Sequence, residues 1–188
     1  MGSRFQRATS EKCIDPEGRI LYDFVIYYSN PESSSNLDEP AFRNHSGSGT
    51  SFNGVGSFDE FANAMNSVPE YADDIYIYLH SDDTSLSFYY AQYYSSVDIA
   101  KDLNQLKIHG KIFLFSCKGG RGDLATTMAN TTNCTVIASV YKVSFGLGKA
   151  RCGWENYLID VWDHGAYSWY SFYPDGSSEP FSYFDVHT

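Results

Sequence analysis

Two residues that can do chemistry stand at the ends of two short apolar runs. His80 follows the run IYIYL (75–79), and Cys117 follows the run KIFLFS (111–116). A thiol becomes a strong nucleophile once it is deprotonated, and a nearby imidazole can take part in that step. If the runs are adjacent parallel strands, both side chains reach the sheet edge where open α/β sheets bind ligands. From spacing alone, a catalytic dyad and two ordinary core strands are about equally good interpretations.

Strands must position these two residues, and the sequence supplies them. The predicted strands are 20–28, 74–79, 111–116 and 134–140, and the predicted helices are 57–68, 96–107 and 122–132. This alternation of continuous apolar strands with helices is typical of a parallel sheet covered on both faces. Segment 84–94 suggests a hairpin, and 157–174 suggests an aromatic hairpin that turns near 163–165. We therefore predict an α/β fold with a mostly parallel sheet flanked by helices, and an antiparallel aromatic hairpin near the C-terminus.

Two of the predicted helices carry start signals and an apolar face. Ser57 and Glu60 form a capping box at the first, and Ser96 is the expected N-cap of the second. The residues expected to face inward are Phe58, Phe61, Ala62 and Met65 in the first helix, and Val97, Ala100, Leu103 and Leu106 in the second. We expect these faces to cover the sheet.

Size and charge narrow the range of partners. The chain has 188 residues, of which 43% are hydrophobic, which suits one domain with a core of its own. A formal net charge of -10 argues against a nucleic-acid backbone as the main partner, because phosphate binding needs clustered Lys and Arg. No apolar run approaches the roughly 18 residues of a membrane span, and none of the four cysteines forms a CxxC or CxxH pair. We therefore expect no nucleic acid, no membrane span and no cofactor.

The turn after Cys117 has the composition of an oxyanion-binding loop. The sequence CKGGRGD (117–123) predicts a Gly-rich connection from a strand into a helix. Backbone amides at such a turn can stabilise a developing oxyanion. We expect Gly119 and Gly120 to contribute, since glycines permit a sharp turn and the close approach of a substrate backbone.

The arrangement around the two strand ends resembles a known enzyme group. A hydrophobic strand ending in His, a crossover, and a strand ending in a small residue and Cys resemble the caspase-like and gingipain-like cysteine peptidases of clan CD. The resemblance implies a single caspase-like catalytic domain over 20–188, with a long loop at 29–56. It also implies that His80 is the general base or acid and Cys117 the nucleophile. Those families usually have Gly after the His, and this chain has Ser81, which retains the amide near the oxyanion.

The same resemblance implies a place for the substrate side chain. In such a fold, the pocket for the residue before the scissile bond lies near the two catalytic strand ends and the following strand. The expected lining residues are Asp82, Asp83, Asp123, Ser139 and Tyr141. Acidic residues there would favour a basic substrate residue. The other interpretation is that Asp82–Asp83 forms a solvated turn and that Asp123 caps a helix.

Two further stretches resemble the carboxyl-terminal module of bacterial RHS-repeat and other polymorphic toxins. The first, 113–146, reads FLFSCKGGRGDLATTMANTTNCTVIASVYKVSFG, and the second, 168–177, reads SWYSFYPDGS. The residues that match the closing Trp-x-x-(F/Y)-x-P-x-G pattern are Trp169, Phe172, Pro174 and Gly176. The polar arm 1–19 ends in IDPEGR (14–19), which resembles the junction where an RHS shell gives way to its variable toxin.

The toxin resemblance implies a biological setting for the predicted chemistry. It implies a domain secreted as part of a larger bacterial protein and acting inside a target cell, with a cognate immunity protein as a partner. We therefore predict a cysteine endopeptidase that acts as a toxin effector and cleaves a protein of the target cell through a Cys-His dyad. Two alternatives remain. One is a catalytically silent binding module, and the other is a toxin of different chemistry such as ADP-ribosyl transfer, which TSLSF (84–88) and Glu179 match poorly.

Overall fold

The structure is a computed structural model that describes residues 22–38, 41, 51–88, 92–149, 155–162 and 169–181. In chain order, its elements are β1 (Phe24–Tyr28), β2 (Ser51–Val55), α1 (Phe58–Asn66), β3 (Ile75–Tyr78), β4 (His80–Ser81), β5 (Ser85–Phe88), β6 (Gln92–Ser95), α2 (Ser96–Asp102), β7 (Ile112–Phe115), α3 (Leu124–Thr132), β8 (Val136–Ser139), β9 (Lys142–Lys149), β10 (Glu155–Trp162), β11 (Trp169–Phe172) and β12 (Ser178–Phe181). The arm at 1–19, with its junction motif, lies outside the described residues.

A seven-stranded sheet organises the chain. Its strand order is β2-β1-β3-β7-β8-β11-β12. The pairs from β2 to β8 are parallel, and β11 is antiparallel to both β8 and β12. Among the described strands, the order reverses direction beside β1, as in doubly wound sheets, which bind ligands beyond the carboxyl ends of their strands. The predicted α/β fold with a mostly parallel sheet is confirmed.

Both faces of the central strands are buried, which explains their continuous apolar runs. Ile77 and Leu114 face the three described helices, whereas their neighbours Tyr78 and Phe115 face the opposite side. The aromatic side forms a ladder, with the Tyr78 and Phe115 rings 4.9 Å apart between centroids. Successive strand residues point to opposite faces. The alternation of aliphatic and aromatic residues in IYIY and IFLF therefore assigns one residue class to each face.

The first helix fits its prediction, and the second does so only in part. In α1, the expected inward residues are all buried, and the Glu60 amide donates to Ser57 Oγ at 3.3 Å. In α2 the N-cap is Ser95, one residue earlier than predicted, and the helix ends at Asp102. The prediction that Val97 faces inward is wrong, because its side chain is 73% exposed. Ala100 is also exposed, and the buried residue of α2 that replaces this face is Ile99.

The pairing predicted for 157–174 is also wrong. β10 pairs with β9 in a separate two-stranded sheet, and β11 joins the central sheet instead. There Trp169 lies opposite Ser139. The side chains of Trp169 and Phe172 are both buried, so the central sheet gains two large apolar side chains. The antiparallel aromatic hairpin near the C-terminus is thus β11–β12. The turn expected at 163–165 lies outside the described residues.

Strands are present in both of the segments predicted as a hairpin at 84–94 and as a loop at 29–56. The hairpin predicted at 84–94 is present as β5 and β6, which form a small antiparallel sheet with β4. The loop predicted at 29–56 contains β2, an edge strand beside β1. Its sequence, SFNGV, lacks the apolar run of an interior strand, and Val55 is its one buried residue. None of the helices in the described ranges is long and apolar enough to cross a bilayer.

Candidate active site at the ends of β3 and β7

The sheet brings the two candidate catalytic residues to the same edge. β3 and β7 are parallel neighbours, and Tyr78 lies opposite Phe115 in the register. His80 and Cys117 each follow two residues after this pair. His80 and Cys117 therefore both follow the carboxyl ends of adjacent parallel strands, which is the arrangement that the predicted dyad requires.

A backbone carbonyl from the loop after β1 orients the imidazole of His80. His80 Nε2 lies 2.8 Å from the carbonyl oxygen of Ser35, and its ring packs edge-on against Tyr28 with the centroids 5.3 Å apart. A carbonyl oxygen only accepts hydrogen bonds, so this contact assigns the hydrogen to Nε2. In the neutral ring Nδ1 then carries no hydrogen and is able to receive a proton.

Paired asparagines hold the segment that carries Ser35. The Asn30 amide donates to Asn36 Oδ1 at 2.8 Å, and Asn36 Nδ2 donates back to the Asn30 carbonyl at 3.1 Å. The Leu37 amide donates to the carbonyl of Tyr28 at the end of β1. The loop after β1 therefore takes part in the site through a fixed backbone position.

Cys117 lies at a sharp bend with a strained residue beside it. Its half-buried thiol donates to the carbonyl of Val143 at 3.7 Å. The next residue, Lys118, has a φ of 57°, in the left-handed region that costs an ordinary residue about 1–2 kcal/mol. The Lys118 amide donates to the Tyr141 carbonyl at 2.8 Å. Strain of this kind clusters at functional sites. The two described side chains of His80 and Cys117 are not hydrogen-bonded to each other.

The three amides expected to bind an oxyanion differ in the structure. The Gly120 amide donates to the Ser139 carbonyl at 2.9 Å, so it is occupied in this conformation. No described residue accepts a hydrogen bond from the Gly119 amide. Ser81 lies in β4 and contributes a contact that the sequence did not indicate, since its hydroxyl donates to the Cys117 carbonyl at 2.6 Å. Both glycines are buried, and Gly119 is the one of the two whose amide has no acceptor among the described residues.

Asp82 organises a turn and does not present a free carboxylate to a pocket. Its Oδ1 accepts from the amide of Thr84 at 2.9 Å, and from the amide and hydroxyl of Ser85 at 2.8 and 2.9 Å. Burial raises the pKa of Asp82, but these hydrogen bonds outweigh it and hold the pKa below its ordinary value of 3.8. The solvated-turn interpretation fits this residue.

The lowered pKa of Asp82 predicts a contribution to acid sensitivity. The charged form stabilises the fold above the ordinary pKa, and this stabilisation is lost as the pH falls through the lower pKa of the folded state. Asp82→Asn should therefore cost about 1 kcal/mol of unfolding free energy at pH 7, a small value because the group is mostly solvated. The cost should shrink below about pH 4, as measured by urea unfolding at several pH values.

The control for the Asp82 measurement is Asp102→Asn, which removes one surface charge at the end of α2. A difference between wild type and Asp82→Asn that stays constant from neutral to acid pH would contradict the assignment.

Asp83 is neutralised by two cations from the turn after Cys117. Its Oδ1 lies 3.4 Å from Lys118 Nζ, and its Oδ2 lies 3.5 Å from Arg121 Nε. Oδ1 is shielded from solvent and makes no hydrogen bond of regular geometry, so the Lys118 ammonium is the charge that compensates it. One carboxylate shared by two cations leaves no negative charge to attract a basic substrate residue.

The remaining predicted pocket residues differ in accessibility. Ser139 is fully buried, and its hydroxyl accepts from the Tyr141 amide at 3.1 Å, so it does not reach a substrate in this conformation. Tyr141 is 38% exposed and can contact one. Asp123 is the N-cap residue of α3, and its Oδ2 accepts from the Ser96 hydroxyl at 2.6 Å. Of these three, Tyr141 and Asp123 are exposed, and the Asp123 carboxylate is engaged by Ser96.

Neither metal ligation nor similarity to known proteins adds a further constraint. Within the described part of the chain, no group of three or more His, Cys, Asp or Glu residues could hold a metal ion. No family model, curated protein or solved structure matches this chain. What the chain does must therefore be inferred from the geometry of the two strand ends.

Proposed function

We propose that the chain is a cysteine endopeptidase in which Cys117 is the nucleophile and His80 carries the proton. The observation that supports this most directly is the placement of both residues at the same register, just beyond two adjacent parallel strands. Cys117 Sγ bonds to the scissile carbonyl carbon as its proton passes to His80, and the C–N bond then breaks as His80 gives that proton to the leaving amine. Water then attacks the thioester carbon and gives a proton to His80, and the C–S bond breaks as His80 passes that proton to Cys117 Sγ and the carboxylic acid is released.

The orientation of the imidazole supports this assignment of roles. Ser35 holds His80 Nε2 through its carbonyl oxygen, so Nδ1 is the nitrogen that exchanges protons with the thiol and the leaving group. A fixed ring saves the cost of orienting the proton carrier in the transition state. The loop after β1 thus has a role in the proposed chemistry through one backbone atom.

The turn after Cys117 supplies the expected means of charge stabilisation. The Gly119 amide is the proposed donor to the oxyanion, with the Ser81 amide from the adjacent strand end as its partner. In the resting conformation the thiol donates to Val143. Substrate binding must therefore draw Cys117 Sγ away from that carbonyl before it attacks.

The biological role follows from the two resemblances in the sequence. The His-then-Cys strand pattern resembles the clan CD peptidases, and the segments around Cys117 and Trp169 resemble the effector module of RHS-type toxins. We therefore assign the domain to a larger secreted bacterial protein. Its substrate is a protein inside a target cell, and its natural partner is a cognate immunity protein.

Expression inside a target cell tests the proposal. Wild type should be toxic and should generate new protein fragments, and Cys117→Ala should do neither. The matched control is Cys134→Ala, which removes a buried core thiol beside β8 and should keep the toxicity. If Cys117→Ala is as toxic as wild type, the peptidase proposal fails and a binding module or another toxin chemistry takes its place.

A further inference from the structure

Side chains outside the proposed Cys117–His80 dyad connect the segment after His80 to the turn after Cys117. Ser81 Oγ donates to the carbonyl oxygen of Cys117 at 2.6 Å. Two residues later, Asp83 lies 3.4 Å from Lys118 Nζ and 3.5 Å from Arg121 Nε. We call these four residues, Ser81, Asp83, Lys118 and Arg121, the strand-end tie.

Backbone packing brings the same two segments together independently of these side chains. A Cβ on Gly122 would lie 2.0 Å from the carbonyl oxygen of Asp83, so no side chain fits between the two segments. Asp82 stiffens the first segment by accepting hydrogen bonds from Thr84 and Ser85. The turn that begins at Asp82 therefore packs closely against the turn that carries Cys117, and the strand-end tie fixes the position of one turn relative to the other.

The tie is placed where it can act on catalysis. Ser81 contacts the carbonyl of Cys117 itself, and Lys118 is both the strained residue after the nucleophile and a partner of Asp83. The ion pair is partly shielded, with Asp83 39% and Lys118 33% exposed, so solvent screens it less than a surface pair. The strained turn is thus held from both its first and its second residue.

We propose that Ser81 and Asp83 are positioning residues that hold the Cys117 turn in a fixed position relative to the strand end that carries His80. This inference rests on the proposed dyad. Ser81 stands where the resembled peptidases usually have Gly, and a glycine has no hydroxyl to donate. The departure from that pattern therefore replaces backbone freedom with a side-chain hydrogen bond to the nucleophile.

Steady-state kinetics on a protein substrate test the tie. Ser81→Ala should lower kcat about tenfold and leave KM within about twofold, because a small displacement of the nucleophile affects the reaction step more than binding. Ser81→Thr keeps the hydroxyl and should restore most of kcat. Asp83→Asn should lower kcat about threefold, because the ion pairs of Asp83 with Lys118 and Arg121 weaken while the Ser81 hydrogen bond to the turn remains.

Matched controls come from similar contacts elsewhere in the fold. Ser67→Ala removes a hydroxyl that donates to the Ala64 carbonyl at 2.8 Å at the end of α1, and Glu70→Gln removes an exposed pair with Lys107. Both controls should retain the kcat of wild type. Urea unfolding of each variant separates displacement of the turn from loss of the folded state.

A substrate-free measurement keeps this inference separate from the proposed function. The rate at which iodoacetamide alkylates Cys117 is followed by peptide mass spectrometry in folded wild type, Ser81→Ala and Ser67→Ala. A change of about threefold or more in Ser81→Ala alone supports the tie, even if wild type cleaves no protein and the peptidase proposal fails. Equal alkylation rates in all three proteins overturn the tie, whether or not the chain is a peptidase.

Discussion

Replacing His80 with glutamine is expected to lower kcat about a thousandfold while the fold persists. Glutamine can still donate to the Ser35 carbonyl through its side-chain amide, but it cannot exchange a proton with the thiol or the leaving amine. The His80 side chain is half-buried, and losing its ring contact with Tyr28 should cost only about 1 kcal/mol of unfolding free energy. Steady-state kinetics and urea unfolding measure the two effects separately.

The control for the His80 prediction is a histidine at the opposite edge of the sheet. His109 precedes β7, and its ring nitrogen Nδ1 lies 3.9 Å from Asp73 Oδ1. His109→Gln should retain the wild-type kcat, because that edge holds neither strand end of the proposed site. A His80→Gln variant as fast as wild type would exclude His80 from proton transfer.

Replacing Gly122 with alanine is expected to force the two strand-end segments apart. The new Cβ would lie 2.0 Å from the carbonyl oxygen of Asp83 and 2.9 Å from its carbonyl carbon, and both are backbone atoms. Neither segment can relieve the clash by rotating a side chain, so we expect a loss of about 2–3 kcal/mol of unfolding free energy. The displaced turn carries Cys117, so kcat should also fall by about tenfold or more.

The matched control for that substitution is Gly176→Ala in the β11–β12 turn. Gly176 has open space around its Cβ position but a φ of +85°, so alanine should cost only about 1 kcal/mol through backbone strain. Its kcat should be unchanged. A Gly122→Ala variant with wild-type stability and activity would mean that the two segments are free to separate.

The parts of the fold that sequence predicted well are those whose local pattern decides the structure. β3 and β7 lie within a residue or two of their predicted bounds, because each run is buried on both faces and contains no polar break. β2 was missed because SFNGV has one neighbour in the sheet and one buried residue. The partner of β11 could not be predicted, because the choice between β8 and β10 depends on contacts between distant segments.

The same distinction applies to the candidate site. His80 and Cys117 could be placed at one edge because strand ends are readable from the sequence. The carbonyls of Ser35 and Val143 could not be found, because a backbone oxygen has no residue-type signature. Asp83 could not be separated from a substrate pocket without knowing that the cations after Cys117 approach it.

A census of new protein N-termini in a cell extract treated with the purified chain tests directly whether Cys117 cleaves proteins. We expect new N-termini with wild type and with Cys134→Ala, and none with Cys117→Ala or His80→Gln. The same set of new N-termini from wild type and Cys117→Ala would contradict the claim that Cys117 is the nucleophile of an endopeptidase.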